Sequence, residues 1–118
     1  NDGVLTMMDA GCAVRCFCFI SDMIEMMLNT MFASKEILYN LAGSDNKTIR
    51  EVAEMITSDL NVPLHLPQEE KKISGTPPQL VLSNTKYCDE LKKYDFIPFE
   101  TGLKKTIEWM KLLKNEEN

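Results

Sequence analysis

The stretch RCFCFISDMIE, from Arg15 to Glu25, places one arginine at the start of an apolar run. A guanidinium in apolar surroundings is costly unless an anionic group meets it. From the residues alone, two kinds of partner are open. A carboxylate of this chain, such as Asp9 or Asp22, would make Arg15 half of a structural ion pair. A bound anionic ligand would make it a ligand-binding residue, because a guanidinium can bind such anions through two parallel hydrogen bonds.

Metal or thiol chemistry would have to come from Cys12, Cys16, Cys18, Cys88 and the single histidine, His65. The spacing C-x3-C-x-C differs from the paired C-x2-C of zinc ribbons, and the histidine lies far away in sequence. Reduced cysteines that pack as small apolar side chains are therefore the favoured interpretation, ahead of a metal site or a disulfide. Reduced thiols are typical of a cytoplasmic protein, which is the predicted compartment.

Motifs for catalysis or for binding a dinucleotide are missing from the 118 residues. The glycines stand at positions 3, 11, 43, 75 and 102, and no G-x-G-x-x-G or Walker-type loop can be drawn through them. The histidine has no plausible serine or cysteine partner, and no tyrosine is followed four residues later by lysine. The sequence therefore predicts no catalytic residue, no metal ligand and no cofactor site within this chain.

Composition limits the classes of partner. The net charge of −5 gives no general attraction for nucleic acid or an anionic membrane, and neither is predicted as a partner. No apolar run reaches the roughly 18 residues that span a bilayer. The length suits one domain over residues 1–118 with a modest core, and the first residue, Asn1, suggests a piece of a longer protein.

The hydrophobic pattern predicts an α/β fold with a small sheet and about four helices. Arg15 falls in a predicted strand over residues 14–20, and Asp22 is predicted to cap a helix that runs to about Phe32. A polar stretch rich in proline and glycine predicts a functional flap or a disordered loop, placed over residues 67–82. The other predicted elements are a strand over 37–41, a helix opened by the capping box Thr48–Glu51, a short strand over 62–66, a strand over 80–83, a helix from Ser83 or Asn84 to Lys92 or Lys93, and a last helix from about Glu100 to Lys114.

The helix after Asp22 is rich in methionine and apolar on most of its circumference. Such a helix is normally buried on several sides, and this chain has too few other elements to cover it. A neighbouring domain or subunit is therefore expected. A methionine-rich face also suits adaptable protein contacts, which predicts a docking surface as the alternative.

Three motifs follow one another along the chain. The first is GCAVRCFCFISD, which ends at Asp22, and the second is YNLAG at 39–43 with Thr48-Ile49 after it. The third is FIPF at 96–99, continued by ETGLKKTIEW. This ordered set resembles the C-terminal part of the extended short-chain dehydrogenase/reductase family, the NAD-dependent sugar-nucleotide epimerases, dehydratases and decarboxylases. The resemblance covers nearly the whole chain.

The resemblance implies that Arg15 binds the diphosphate of a sugar nucleotide. Many members carry a second nucleotide-binding arginine just before the helix that follows the flap, but residues 77–83 hold none here. Lys71 or Lys72 of the flap is the candidate to replace it, and Gln79 completes the set of predicted substrate-binding residues.

The implied function is binding of a UDP- or dTDP-sugar by the C-terminal, substrate-binding portion of such an enzyme. NAD, the family's glycine-rich loop and its catalytic Tyr-Lys pair are expected in an N-terminal Rossmann domain, so this chain is not expected to turn over substrate by itself. The alternative is a non-catalytic protein-interaction module that docks through its methionine-rich helix, and a homodimer is compatible with either. The base, the sugar and the reaction branch stay open.

Overall fold

A computed structural model describes residues 3–33, 38–68 and 77–116 of the chain. Helices and short strands alternate along these ranges, which confirms the predicted α/β class with small sheets. The helices are α1 (Ile20–Ala33), α2 (Ile49–Leu60), α3 (Thr85–Leu91) and α4 (Phe99–Glu116), and the strands are β1 (Leu5–Thr6), β2 (Val14–Phe17), β3 (Asp45–Thr48), β4 (Leu64–His65) and β5 (Gln79–Leu80).

The chain divides into two compact units. The first draws its described residues from Asn1–Cys16 and Asn46–Val81, and the second from Phe17–Asp45 and Leu82–Asn118. Each unit is therefore assembled from two separate stretches of sequence.

The first unit holds two small sheets and α2. Strands β1 and β4 pair in parallel, with Leu5 opposite Leu64. The other sheet has the order β3-β2-β5, in which β2 and β5 are parallel, and one terminal residue each of β2 and β3 falls in the second unit. Among the described residues of this unit, Met7 and Ala53 are buried apolar side chains. The buried hydroxyl of Thr57 donates to the carbonyl oxygen of Ala53 at 2.9 Å, so this polar group is satisfied within the helix.

The second unit is built from α1, α3 and α4. Met26 of α1 and Tyr87 of α3 are fully buried and form its centre together with Cys88. Partly buried side chains pack around this centre: Cys18, Met23, Tyr39, Leu41, Leu91 and Phe96.

The predicted role of Asp22 is wrong. The strand that contains Arg15 ends at Phe17, and α1 begins at Ile20, so Asp22 lies inside the helix and is buried. Its carboxylate accepts a hydrogen bond from the backbone N–H of Ile97 at 2.8 Å and lies 3.2 Å from Nζ of Lys93. A carboxylate with partners this distant in sequence cannot be distinguished from a helix cap by local pattern alone.

The predicted strand over 37–41 is also wrong for residues 38–41, which are not in a sheet. The Tyr39 ring instead packs edge-on against Tyr87, with centroids 6.1 Å apart, and Leu41 packs against the same helical core. The strand forms later, at Asp45–Thr48, where it pairs with β2.

The predicted capping box is confirmed. Oγ1 of Thr48 accepts from the backbone N–H of Glu51 at 3.0 Å, and the Glu51 carboxylate accepts from the backbone N–H of Thr48 at 2.6 Å. Helix α3 starts after Asn84, as predicted, and the Asn84 side chain donates to the carbonyl oxygen of Ala42 at 2.8 Å. Within the stretch predicted as a flap (67–82), residues 69–76 lie outside the described part of the chain. Strand β5 lies in the last part of the same stretch.

Candidate anion site at Arg15

The site is built on β2, which holds Arg15 between Val14 and Cys16. Strand β5 runs parallel to β2, and the register places Arg15 beside Leu80 and Val14 beside Gln79. The backbone N–H of Val14 donates to the carbonyl oxygen of Pro78 at 2.9 Å, which continues the pairing toward the start of β5.

The Arg15 guanidinium is partly buried and bonded to main-chain carbonyls. Its Nη1 donates to the carbonyl oxygen of Val14 at 2.6 Å, and its Nη2 donates to that of Pro77 at 3.1 Å. A guanidinium has five N–H donors, so these two bonds leave donors to spare. Neutral carbonyls orient the group without cancelling its charge.

The structural ion pair left open by the sequence is not observed. Within residues 3–33, 38–68 and 77–116, no carboxylate pairs with Arg15. Asp9 instead accepts the backbone N–H of Gly11 at 2.8 Å, and Asp22 pairs with Lys93. No carboxylate of the described residues therefore neutralises the positive charge of Arg15.

The first turn of α2 is a second place where an anion could be expected, because a helix N-terminus carries unpaired N–H groups. Here those groups are occupied. The backbone N–H of Ile49 donates to Ala13, that of Arg50 to Gly11, each at 3.0 Å, and that of Glu51 to the Thr48 hydroxyl. The neighbouring guanidinium of Arg50 is exposed and pairs with Glu54 at 2.8 Å. The charge of Arg50 is thus compensated, whereas no carboxylate in the part of the chain that the structure describes compensates that of Arg15.

Of the other predicted substrate-binding residues, Gln79 is an exposed member of β5. Because it pairs with Val14, and side chains alternate along a strand, it lies on the opposite face of the sheet from Arg15. The structure therefore places Leu80, rather than Gln79, beside Arg15. Lys71 and Lys72 lie outside the described residues.

The phenylalanines that flank Arg15 in sequence are used in packing. Phe17 contacts Phe99, with ring centroids 4.9 Å apart. Phe19 covers Gly102, where an added Cβ would lie 2.7 Å from the Phe19 ring. Both rings are therefore engaged in packing within the protein.

The described glycines do not fit a dinucleotide-binding loop. A Cβ at Gly11 would clash with the backbone N of Arg50 at 2.7 Å, and a Cβ at Gly43 would run into the backbone of Phe17. These glycines permit close packing of protein on protein, as Gly102 does, whereas a dinucleotide loop keeps that space for a pyrophosphate. No chemistry is therefore assigned to a nicotinamide cofactor in this chain.

Metal and thiol chemistry find no support among the described residues. No group of three or more His, Cys, Asp or Glu side chains there could hold a metal ion. None of the cysteines forms a disulfide: Cys12 is exposed, and Cys88 is buried. Burial raises the pKa of the Cys88 thiol, which keeps it protonated and unreactive.

A buried ion pair was missed by the sequence reasoning. Nζ of Lys93 lies 3.2 Å from Asp22 and 2.9 Å from Glu25, and it donates to the carbonyl oxygen of Asp95 at 3.0 Å. Burial alone would lower the pKa of Lys93, but the hydrogen bonds to Glu25 and Asp22 outweigh it and raise that pKa. The sequence did contain a signal for this pair: Asp22 lies in a mostly apolar helix, and a buried carboxylate needs a cationic partner.

Helix α1 leaves an apolar face uncovered. Only Asp22 and Met26 of its residues are buried. The exposed large apolar residues of α1 recur at i, i+4, i+7, i+8, i+11 and i+12, which is one side of a helix. This apolar stripe consists of Ile20, Ile24, Met27, Leu28, Met31 and Phe32. As expected, the described residues do not cover this face of α1.

In the described residues, no helix is both long and apolar enough to cross a membrane.

No protein-family model matches the chain, but individual proteins do. A UDP-N-acetyl-alpha-D-glucosaminuronate decarboxylase from Bacillus cytotoxicus is 28% identical, and the match covers 90% of this chain and 35% of that enzyme. A dTDP-4-dehydro-6-deoxy-D-allose reductase from a Streptomyces species is 26% identical, over 88% of this chain and 31% of that enzyme. The chain thus spans about a third of the length of these curated relatives.

A crystal structure gives the same fold. The UDP-glucuronic acid 4-epimerase from Bacillus cereus, in complex with UDP-glucuronic acid and NAD, matches with a TM-score of 0.79 and 21% identity. The match covers 95% of this chain and 36% of that one. The resemblance predicted from the motifs is confirmed, because these neighbours are extended short-chain dehydrogenase/reductase enzymes and the chain matches a C-terminal portion of them.

Proposed function

We propose that this chain, as a C-terminal portion of an extended short-chain dehydrogenase/reductase enzyme, forms part of a sugar-nucleotide site in which Arg15 binds the diphosphate. The observation that carries the proposal is the state of that guanidinium. It is partly buried, oriented by the carbonyls of Val14 and Pro77, and unpaired with any described carboxylate. A diphosphate would supply the missing charge through bidentate, charge-assisted hydrogen bonds.

The names of the relatives suggest the class of ligand. One curated relative acts on a UDP-linked sugar and another on a dTDP-linked sugar. The proposed ligand is therefore a pyrimidine nucleoside diphosphate sugar. NAD and the catalytic groups would come from an N-terminal Rossmann domain, and the epimerase, dehydratase and decarboxylase branches all remain compatible. The same proposal includes a cytoplasmic location, because reduced thiols are typical of that compartment.

The test is an amide NMR titration of the chain with UDP, dTDP and UDP-glucuronate. We expect shifts that centre on Arg15 and its neighbours in β2 and β5. Arg15→Ala should weaken binding about tenfold or more, because a hydrogen bond to a charged group contributes about 1.5–3 kcal/mol. Arg50→Ala is the matched control, since it removes an equal charge that already pairs with Glu54. Equal affinity of the Arg15 variant and the unaltered chain would refute the assignment.

A second candidate is favoured by the apolar stripe of α1. Met31 is 72% exposed and Phe32 is 81% exposed, and side chains this large rarely cluster on a surface without a partner. The stripe would then be the docking surface of a non-catalytic interaction module. In the leading proposal, the same stripe receives the Rossmann domain of the enzyme.

Sedimentation and ligand response together distinguish the two functions. Concentration-dependent dimerisation that is lost in Phe32→Glu, with no response to nucleotide, would favour the interaction module. Met8→Glu is the control, because Met8 is comparably exposed, at 77%, but lies in the first unit.

A further inference from the structure

Strand β5 and the Arg15 side chain hold each other in place. Residues 79 and 80 make up the whole strand, and both side chains are exposed, so little apolar packing secures it. At the start of β5, the carbonyl of Pro78 accepts the backbone N–H of Val14, and the carbonyl of Pro77 accepts Nη2 of Arg15. One of these bonds comes from the backbone of β2 and the other from its arginine.

The same contacts restrict the guanidinium. The Val14 carbonyl binds Nη1 and the Pro77 carbonyl binds Nη2, so both ends of the planar group are fixed. Three N–H donors remain, one on Nε and one on each Nη. An unrestrained arginine loses side-chain entropy when a ligand immobilises it. In this chain, much of that ordering takes place before a ligand arrives.

We infer that β5 is a positioning element for Arg15, which presents the guanidinium to an anion only while β5 is docked on β2. This inference rests on the proposed function and adds a coupling to it. Undocking β5 removes the Pro77 carbonyl and lets the guanidinium reorient, which weakens anion binding. By thermodynamic reciprocity, a bound anion must stabilise the docked strand by the same factor.

The principal variant is Leu80→Pro. Proline cannot donate a backbone hydrogen bond to a strand ladder, so this change weakens the docking of β5 without altering any charge. Leu80→Ala is the control, because it removes even more of the side chain than Leu80→Pro but keeps the backbone N–H. With inorganic pyrophosphate and UDP as probes in the amide NMR titration, Leu80→Pro should bind about tenfold more weakly, and Leu80→Ala within about twofold of the unaltered chain.

A double-mutant cycle separates positioning from general damage. Arg15→Lys keeps the charge, but an ammonium cannot bridge two carbonyls and an anion in the same plane. If β5 acts through the guanidinium, Leu80→Pro should cost little further affinity in the Arg15→Lys background. A full tenfold loss in that background would overturn the inference.

Hydrogen exchange of the Val14 amide gives a second measurement that needs no variant. Because this N–H is donated to Pro78, saturating UDP should slow its exchange by up to the same tenfold factor. Unchanged exchange in the bound protein would overturn the coupling. If Arg15→Ala weakens binding but Leu80→Pro does not, the coupling fails and the proposed function stands. If the unaltered chain binds neither probe, both fail.

Discussion

The buried pair of Lys93 and Asp22 allows a quantitative test of what stabilises the second unit. Asp22→Asn removes the negative charge but keeps an oxygen that can still accept the backbone N–H of Ile97, which lies 2.8 Å from the carboxylate. The change therefore isolates the charge interaction with Lys93. The side chains of Lys93 and Asp22 are only 4% and 7% exposed, so water cannot replace the lost partner.

The expected loss follows from burial. Removing one partner of a buried ion pair typically costs about 3–5 kcal/mol, because the other charge stays buried without compensation. Lys93 keeps Glu25 and the Asp95 carbonyl, which places Asp22→Asn near the lower limit, at about 3 kcal/mol. Domains of this size are stable by roughly 5–15 kcal/mol in total, so the loss is easily measured.

The assay is urea denaturation followed by circular dichroism, with Glu25→Gln as the matched control. Glu25 binds the same ammonium at 2.9 Å, but its side chain is 53% exposed, so its removal should cost only about 1 kcal/mol or less. Equal losses for Asp22→Asn and Glu25→Gln would refute the reasoning, because they would show that burial does not set the strength of these contacts.

Two further predictions concern the stability of the chain to unfolding. Gly11→Ala should lower the free energy of unfolding by about 1–3 kcal/mol or more, because φ at Gly11 is +68° and a Cβ would lie 2.7 Å from the Arg50 nitrogen. Gly3→Ala is its control in urea denaturation and should be nearly neutral, since its Cβ would contact only Val62, at 3.7 Å. For alkaline pH, burial raises the pKa of folded Cys88 above its usual 9.0, so the unfolded chain loses that proton first. Stability should therefore fall as the pH rises through about 9, and midpoints measured in Cys88→Ala should fall less; an equal fall would contradict the assignment.

Local patterns in the sequence predicted local structure correctly. The Thr48–Glu51 capping box depends on two side chains three residues apart, and both of its hydrogen bonds are present. Helix α3 also begins after the predicted residue Asn84, although the Asn84 side chain makes no capping hydrogen bond. Arg15 was identified because its charge conflicts with its apolar neighbours, and that conflict is visible in a short stretch of sequence.

The errors arose where distant residues decide the outcome. Asp22 was taken for a cap because its true partners, Lys93 and Ile97, lie more than 70 residues further along the chain. Residues 38–41 have strand-like composition, but Tyr39 packs against Tyr87 instead of pairing in a sheet. The acceptors of Arg15 are main-chain carbonyls, which no pattern of side chains could reveal. The prediction that Gln79 binds substrate stays a prediction; the strand register, which the sequence does not give, places Gln79 on the opposite face of the sheet from Arg15.

The division of the chain into two interleaved units affects how it can be made on a ribosome. The nascent chain enters the second unit after Cys16, returns to the first after Asp45 and leaves it again after Val81. The first unit cannot close until β5 has emerged, and the second must wait for α3 and α4. Domains normally fold as units during translation, and exposed apolar surface invites aggregation while they wait. The apolar stripe of α1 leaves the ribosome before α3 and α4, so it stays exposed while the second unit is incomplete, when a chaperone would be of most use.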